Sequence, residues 1–169
     1  VEYDVNPNLR EDIRNEELDE LMQVLNSKIP PFISKLERIE CYDISNTQGT
    51  NATGSMVVFV NGEKESSQYR RFKIRQDGKP NDFAMMKEML QRRFLHDEWD
   101  MPDLIIIDGG KGQVSSAIEA LASRGLNLPL IGLAKREETI VIPNVILEEG
   151  KSRPIGSPIG DSIATLQND

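Results

Sequence analysis

The feature that most constrains the fold is an all-apolar run, Leu104–Ile107, which ends in Asp108 and is followed by a glycine turn. Four consecutive apolar residues have no polar side, so the run predicts a central β-strand that is covered on both faces. Residues 111–125 then have the apolar spacing of a helix, with Gly125 as its C-terminal cap. A strand, a glycine turn and a helix in this order indicate an α/β fold.

Three segments before this run alternate in the manner of β-strands. They span residues 38–45, 54–63 and 66–75, and the pair Asn61-Gly62 is a strong hairpin signal. Because short turns link them, they predict an antiparallel meander.

The periodicity changes to that of a helix at residues 80–95, with Asn81 or Asp82 as the N-cap. Its predicted inward face consists of Phe83, Met86, Leu90 and Phe94. Residues 128–134 predict a further strand and residues 138–143 a short extended piece. We therefore predict an α/β fold with a mixed five-stranded sheet, in which three antiparallel strands precede alternating helices and parallel strands, flanked by helices.

The ends of the chain differ from this core. Apolar residues between Leu9 and Leu25 recur at helical spacing, so residues 1–38 predict an acidic helical arm, with nine acids against five bases. Residues 39–169 form the predicted core domain, and we expect its last segment, 161–169, to begin a helix. No apolar run approaches the roughly 20 residues that span a bilayer. Without a signal peptide, and with a single cysteine, the chain is expected to be cytoplasmic and to need no membrane.

Asp108 suggests a metal site at the glycine turn. A phosphate held against a carboxylate would be repelled unless a cation lay between them, and Mg²⁺ or Mn²⁺ meets both kinds of oxygen ligand. Asp43 also lies in a predicted strand, where a carboxylate is costly unless it is paired or binds a metal. Should the two strands be parallel neighbours, Asp43 and Asp108 meet near the centre of the sheet. The alternatives are a helix-capping Asp108 and an Asp43 at a frayed strand end.

Basic residues near these acids are candidates for binding a phosphate backbone. The candidates are Arg70, Arg71, Lys73, Lys111 and Lys135. The net charge of −8 disfavours a nucleic-acid partner, but residues 64–75 carry five bases against one acid. A solvated edge strand accounts for the same charges equally well. His96 is expected in a surface loop, and Trp99 as a packing anchor.

Three segments, 39–74, 104–121 and 131–143, together resemble the C-terminal endonuclease half of UvrC, the incision subunit of bacterial nucleotide excision repair. The resemblance implies a ribonuclease H-like fold and Mg²⁺- or Mn²⁺-dependent cleavage of damaged double-stranded DNA on the 5′ side of a lesion. It also implies action with UvrB, with UvrA upstream.

The resemblance assigns the family's first catalytic aspartate, in its "DIS" motif, to Asp43, and its second, in "DGGKGQ", to Asp108. Two departures are present: Asn46 stands where the family usually has histidine, and the family's "RDEAHRF" motif with its third catalytic residue is missing from these 169 residues. We therefore expect the chain to be truncated before that last helix, and the fragment alone to be feeble or inactive. Three alternatives stay open: a nucleotide-binding module, a non-catalytic scaffold, and another ribonuclease H-like nuclease such as a junction resolvase.

Overall fold

The computed structural model describes residues 7–29, 31–47, 51–75, 81–134, 139–143 and 163–167. Within these ranges the chain forms three α-helices, eight β-strands and one 3₁₀ turn, Ser66–Gln68. The helices are α1 (Pro7–Asn26), α2 (Asp82–Arg93) and α3 (Lys111–Ala122). The strands are β1 (Arg38–Thr47), β2 (Asn51–Val60), β3 (Glu63–Lys64), β4 (Arg70–Lys73), β5 (Leu104–Asp108), β6 (Leu130–Ala134), β7 (Thr139–Pro143) and β8 (Ile163–Gln167). None of the described helices is both long and apolar enough to cross a membrane.

All eight strands join one mixed sheet, in the order β3-β2-β1-β5-β6-β7-β8, with β4 also paired to β2. Strands β1, β5 and β6 are parallel, and the remaining pairs are antiparallel. This confirms the predicted fold class, with three antiparallel strands, β1, β2 and β4, before the parallel ones. The sheet exceeds the predicted five strands because β3, β7 and β8 extend it. Asn61 and Gly62 both have positive φ, 50° and 76°, as the predicted hairpin turn requires.

The expectation that residues 161–169 begin a helix is wrong for the described part, 163–167. These residues form β8, which pairs antiparallel with β7 from Ile163 opposite Pro143 to Gln167 opposite Thr139. The segment contains the β-branched Ile163 and Thr165, which favour strands, and β7 offers an edge to pair with. The edge of the sheet therefore decides the structure of a segment whose local pattern is ambiguous.

One face of the sheet is covered by α2 and α3, and the main hydrophobic core lies between them. Alternate residues of the strands point into it, among them Tyr42, Met56 and Ile107, all at most 2% exposed. Gly54 in β2 allows close contact with α2, because a Cβ there would come within 2.2 Å of the Met89 sulfur.

The described residues cover the opposite face only in part. The C-terminal end of α1 and the segment that follows it bury Leu25, Ile29, Ile33 and Leu36 against the N-terminal ends of the parallel strands. The N-terminal arm therefore packs on the sheet, and Arg14 also forms an ion pair with Glu63 of β3 at 2.7 Å. A boundary between residues 38 and 39 remains a prediction.

The ends of α2 and α3 follow the prediction, whereas one residue of the predicted inward face of α2 does not. Asn81 caps α2 as predicted, accepting hydrogen bonds from the backbone N–H of Phe83 and Ala84. Phe83 is not a core residue, since it is 50% exposed and its ring lies against Gly112 of α3. Gly125 closes α3 as predicted: it has a positive φ of 67°, and the N–H groups of Gly125 and Leu126 donate to the carbonyls of Ala122 and Leu121 at 3.0 Å.

Candidate active site

Asp43 and Asp108 lie side by side on two neighbouring parallel strands, where the pairing of β1 with β5 ends. The register of β1 and β5 pairs Cys41 with Ile106 and Tyr42 with Ile107, so the next position on each strand is an aspartate. Neighbouring strands are about 4.8 Å apart, which brings the two carboxylates within reach of one ion. The adjacency that the sequence predicted is therefore present.

Both carboxylates belong to the face of the sheet that α2 and α3 do not cover. Cys41 and Asp43 share that face because side chains alternate along a strand, and Tyr42 between them points into the main core. Burial raises the pKa of the Cys41 thiol to about 11, and the negative charges of Glu40 and Asp108 raise it further. The influence of Asp108 on Cys41 places that carboxylate near the same face, and both aspartates are half-buried.

Short-range contacts hold each aspartate in place. Ser45, two residues along β1, donates a hydrogen bond from Oγ to Oδ2 of Asp43 at 3.0 Å. After Asp108 the chain turns at Gly109, whose N–H donates to the carbonyl of Leu133 in β6 at 3.1 Å. The turn packs closely on β6 because residue 132 is glycine: a Cβ there would lie 2.9 Å from the Gly109 carbonyl oxygen.

Two predicted basic residues share the face of the aspartates. Across the antiparallel strands, Asp43 is opposite Ser55, and Ser55 is opposite Arg71. Lys73 lies two residues further along β4 and therefore on the same face, and both basic side chains are exposed. The structure thus brings Arg71 and Lys73 to the side of the site that β4 forms.

The other three predicted phosphate-binding residues differ in their placement. Arg70 lies on the helix-covered face, where Nη1 donates to the carbonyls of Ser67 and Tyr69 and the guanidinium sits 5.0 Å from the centroid of a Trp99 ring. Lys111 is exposed at the first position of α3, three residues after Asp108. Lys135 lies outside the described residues.

A buried ionic network lies in β1 beneath the site, and sequence reasoning missed it. Glu40 and Arg93 of α2 are both fully buried, and Arg93 donates to the two carboxylate oxygens of Glu40 at 2.9 and 3.0 Å. Arg38 Nε donates to the same carboxylate at 2.9 Å. The hydroxyl of Tyr42 also donates a hydrogen bond to it. The available signal was the alternation of β1, because Arg38 and Glu40 share a strand face with Tyr42.

The network also changes proton affinities. Burial raises the pKa of Tyr42 well above its ordinary value, and the charge of Glu40 adds to the effect. Burial by itself would lower the pKa of Arg93, but its hydrogen bond to Glu40 and the charge of that carboxylate raise it overall. Tyr42 therefore stays protonated and Arg93 stays charged, which fixes the hydrogen-bond donors around Glu40.

His96 and Trp99 lie in the loop that precedes β5, at the opposite end of that strand from Asp108. The rings stack with centroids 4.0 Å apart, and His96 Nδ1 contacts the Glu98 carboxylate at 2.7 Å. Trp99 packs against the main core, so the predictions for both residues are confirmed.

The donor set at the aspartates suits a hard divalent cation. Mg²⁺ is usually held by one or two carboxylates, while waters and substrate phosphates complete its coordination. Asp43 and Asp108 provide such a pair on an accessible, polar part of the sheet. Among the described residues, no group of three or more His, Cys, Asp or Glu side chains forms a closed metal cage. The two carboxylates fit a metal whose remaining coordination positions are filled by water and by substrate phosphate oxygens.

The chain is similar to several proteins that share one name. Over 149 residues, the chain is 44% identical to UvrABC system protein C of Chlorobaculum tepidum, covering 85% of this chain and 23% of that protein. It is 52% identical over 111 residues to the protein of the same name from Prosthecochloris aestuarii, covering 64% and 18%. The chain spans about a fifth of the length of these relatives.

Among solved structures, the chain is similar to Ciona intestinalis Endonuclease V in complex with a 24mer DNA containing an inosine followed by a ribo-adenosine. That similarity has a TM-score of 0.47 and 16% identity, and covers 84% of this chain and 63% of that one. The family described as the UvrC RNAse H endonuclease domain matches residues 31–160. The chain belongs to this family.

Proposed function

We propose that this chain is the metal-dependent nuclease domain that cuts damaged DNA on the 5′ side of a lesion, acting with UvrA and UvrB. The observation that carries the proposal is the adjacency of Asp43 and Asp108 on the uncovered face of the sheet. The UvrABC name of the relatives supports the repair setting and the partner proteins.

In this proposal, Asp43 and Asp108 hold Mg²⁺ or Mn²⁺ between them, with Ser45 fixing the orientation of the Asp43 carboxylate. A divalent metal bound there supplies charge that polarises the scissile phosphate and lowers the pKa of a bound water. The water oxygen would form a new bond to phosphorus as the bond to the leaving oxygen breaks, the water would release a proton to solvent, and the leaving oxygen would take one up. Arg71, Lys73 and Lys111 hold neighbouring phosphates and keep the scissile one against the aspartates.

The proposal is tested with the full-length protein, UvrA, UvrB, Mg²⁺ and a DNA duplex that carries one lesion. Asp43→Asn and Asp108→Asn keep the shape of the side chains and remove their charge, so each should reduce 5′ incision more than about a hundredfold. Asp97→Asn is the matched control, because Asp97 is exposed in the loop before β5. Retention of 5′ incision by either site variant would contradict the proposal.

A further inference from the structure

The uncovered part of the sheet carries a second set of polar groups beside the two aspartates. Strand pairing places Asp43, Ser55 and Arg71 in one row across β1, β2 and β4. The next row on the same face consists of Ser45, Thr53 and Lys73. Ser55 and Thr53 in β2 have no role in the site described above.

Burial confirms which way these side chains face. In β2, Gly54 and Met56 are buried against the helices. Thr53 and Ser55, which alternate with them along the strand, are only half-buried. In β4, Phe72 is 4% exposed, while its neighbours Arg71 and Lys73 are exposed. Both strands therefore turn their polar residues to the face that bears Asp43.

Among the residues that the structure describes, the row is polar in one direction only. On the other side of the aspartates, Asp108 is opposite Leu133 of β6, and Leu133 is opposite Ile140 of β7. Leu133 is 37% exposed, and these apolar side chains provide no partner for a charged phosphate. A DNA strand that extends from the aspartates across β2 and β4 would contact hydroxyl, guanidinium and ammonium groups. A strand that extends across β6 and β7 would contact apolar side chains.

The dimensions suit a nucleic-acid strand. Arg71 lies two strand spacings from Asp43, which is about 10 Å. The hydroxyl groups of Ser55 and Thr53 lie between the acidic and basic positions. Hydroxyl, Arg and Lys side chains are the groups that commonly contact phosphate oxygens without reading bases.

From this arrangement we propose that the DNA strand being cut crosses β1, β2 and β4, with its phosphates held by Arg71 and Lys73 and by the hydroxyls of Ser55 and Thr53. The nucleotides on one side of the scissile phosphate lie over this track, and those on the other side leave the protein surface near β6. The proposal rests on the nuclease function proposed above and adds the direction of the strand and two positioning residues.

The test assigns individual DNA phosphates to individual side chains, using the full-length protein with UvrA, UvrB and Mg²⁺. A series of DNA substrates carries one neutral methylphosphonate at successive positions on both sides of the scissile phosphate, and 5′ incision is measured for each. The wild-type protein should lose about tenfold in rate when a contacted phosphate is neutralised. The positions whose sensitivity depends on Arg71 or Lys73 should all lie on the same side of the scissile phosphate.

Arg71→Ala should abolish the sensitivity at one of those positions and leave the others unchanged, and Lys73→Ala should do the same at a different position. Ser55→Ala should weaken the sensitivity to a neutral phosphate at a position between the scissile phosphate and the position that depends on Arg71. Arg71→Lys should restore part of the effect. Lys35→Ala removes an exposed cation at the opposite end of β1 and should keep the wild-type pattern.

If Arg71→Ala and Lys73→Ala abolished sensitivity on opposite sides of the scissile phosphate, or if Arg71→Ala kept the wild-type pattern, the track would be overturned. Since both side chains are exposed, neither variant should disturb folding. Loss of incision in Asp43→Asn together with an unchanged phosphate pattern in Arg71→Ala would reject the track and keep the nuclease function. Normal incision by Asp43→Asn would instead reject the nuclease function.

Discussion

Glu40 is a fully buried carboxylate held between two arginines, three residues before Asp43 on the same strand. Its bonds join β1 to α2, since Arg93 belongs to that helix and also donates to the carbonyl of Asp100 at 2.6 Å. A buried ion pair contributes little by itself, because desolvation offsets the attraction of the charges. Removing only one partner, however, leaves the other charge buried and unpaired.

Glu40→Ala should therefore lower the free energy of unfolding of this chain by roughly 3–5 kcal/mol. The control is Glu63→Ala, which removes an exposed pair with Arg14 and should cost less than about 1 kcal/mol. Urea denaturation with a comparable slope for each variant provides the measurement. A loss of less than about 1 kcal/mol for Glu40→Ala would show that the network does not support the fold.

Cys41 makes the free energy of unfolding depend on pH in the alkaline range. Its pKa in the folded chain is about 11 against an ordinary value of 9.0, first because the thiol is buried and then because Glu40 and Asp108 lie near it. The unfolded chain therefore loses this proton first. The contribution to stability is complete below pH 9 and is lost as pH rises through 11, a change of roughly 2–3 kcal/mol.

Cys41→Ala should accordingly flatten the fall in unfolding free energy between pH 9 and pH 11. Some of the fall should persist, because Tyr42 also has a raised pKa and loses its stabilising effect above about pH 10. Denaturation of the wild-type chain and the variant at several pH values measures the difference. Parallel profiles for the two proteins would mean that the thiol is not in the environment described.

At the scale of elements, the position of Asp108 depends on how closely β5, β6 and α3 approach one another. Gly132 in β6 makes this possible, because a Cβ there would lie 2.4 Å from Val114 Cγ2 of α3 and 2.9 Å from the Gly109 carbonyl. Neither neighbour is the flexible end of a long side chain. A methyl group at residue 132 must therefore move the turn that follows Asp108.

Gly132→Ala should destabilise the chain by roughly 1–3 kcal/mol through overpacking, and should also reduce 5′ incision by the full-length protein. Gly110→Ala is the steric control within the same turn, because a Cβ at residue 110 meets no atom within 4 Å. Thermal or urea unfolding and incision rates are compared for the two variants. If Gly132→Ala matched Gly110→Ala in both measurements, the close contact would have no bearing on the site.

Much of the architecture follows from local patterns. The all-apolar Leu104–Ile107 indicated a strand covered on both faces, and the alternating segments before it indicated an antiparallel meander. Asp43 and Asp108 were predictable because Asp43 is a poor strand former inside a predicted strand and Asp108 ends an apolar one. Their adjacency needed only the parallel order of β1 and β5.

Other features depend on contacts between distant segments, which a local pattern does not contain. Arg70 and Arg71 have the same chemistry in the sequence, but register alone directs Arg71 to the aspartates and Arg70 to Trp99. The Glu40–Arg93 pair spans 53 residues. The strand β8 depends on the edge that β7 provides.

For the whole molecule, the distribution of covered and uncovered surface decides where a substrate can bind. Helices α2 and α3 occupy one face, and α1 with the following segment covers the N-terminal ends of the parallel strands on the other. The part that these elements leave uncovered contains both aspartates, the hydroxyl groups of β2 and the basic residues of β4. An acidic chain with net charge −8 thus presents the basic side chains of Arg71 and Lys73 beside the two aspartates of the proposed metal site.

The central claim is that Asp43 and Asp108 together hold the divalent metal. Crystals of this chain grown with Mn²⁺ and a short DNA strand, and measured for anomalous scattering from manganese, test it most directly. We predict a manganese peak within about 2.0–2.3 Å of oxygens from both carboxylates, and no such peak in crystals of Asp108→Asn. Manganese bound elsewhere on the chain, or a peak that persists in Asp108→Asn, would contradict the claim.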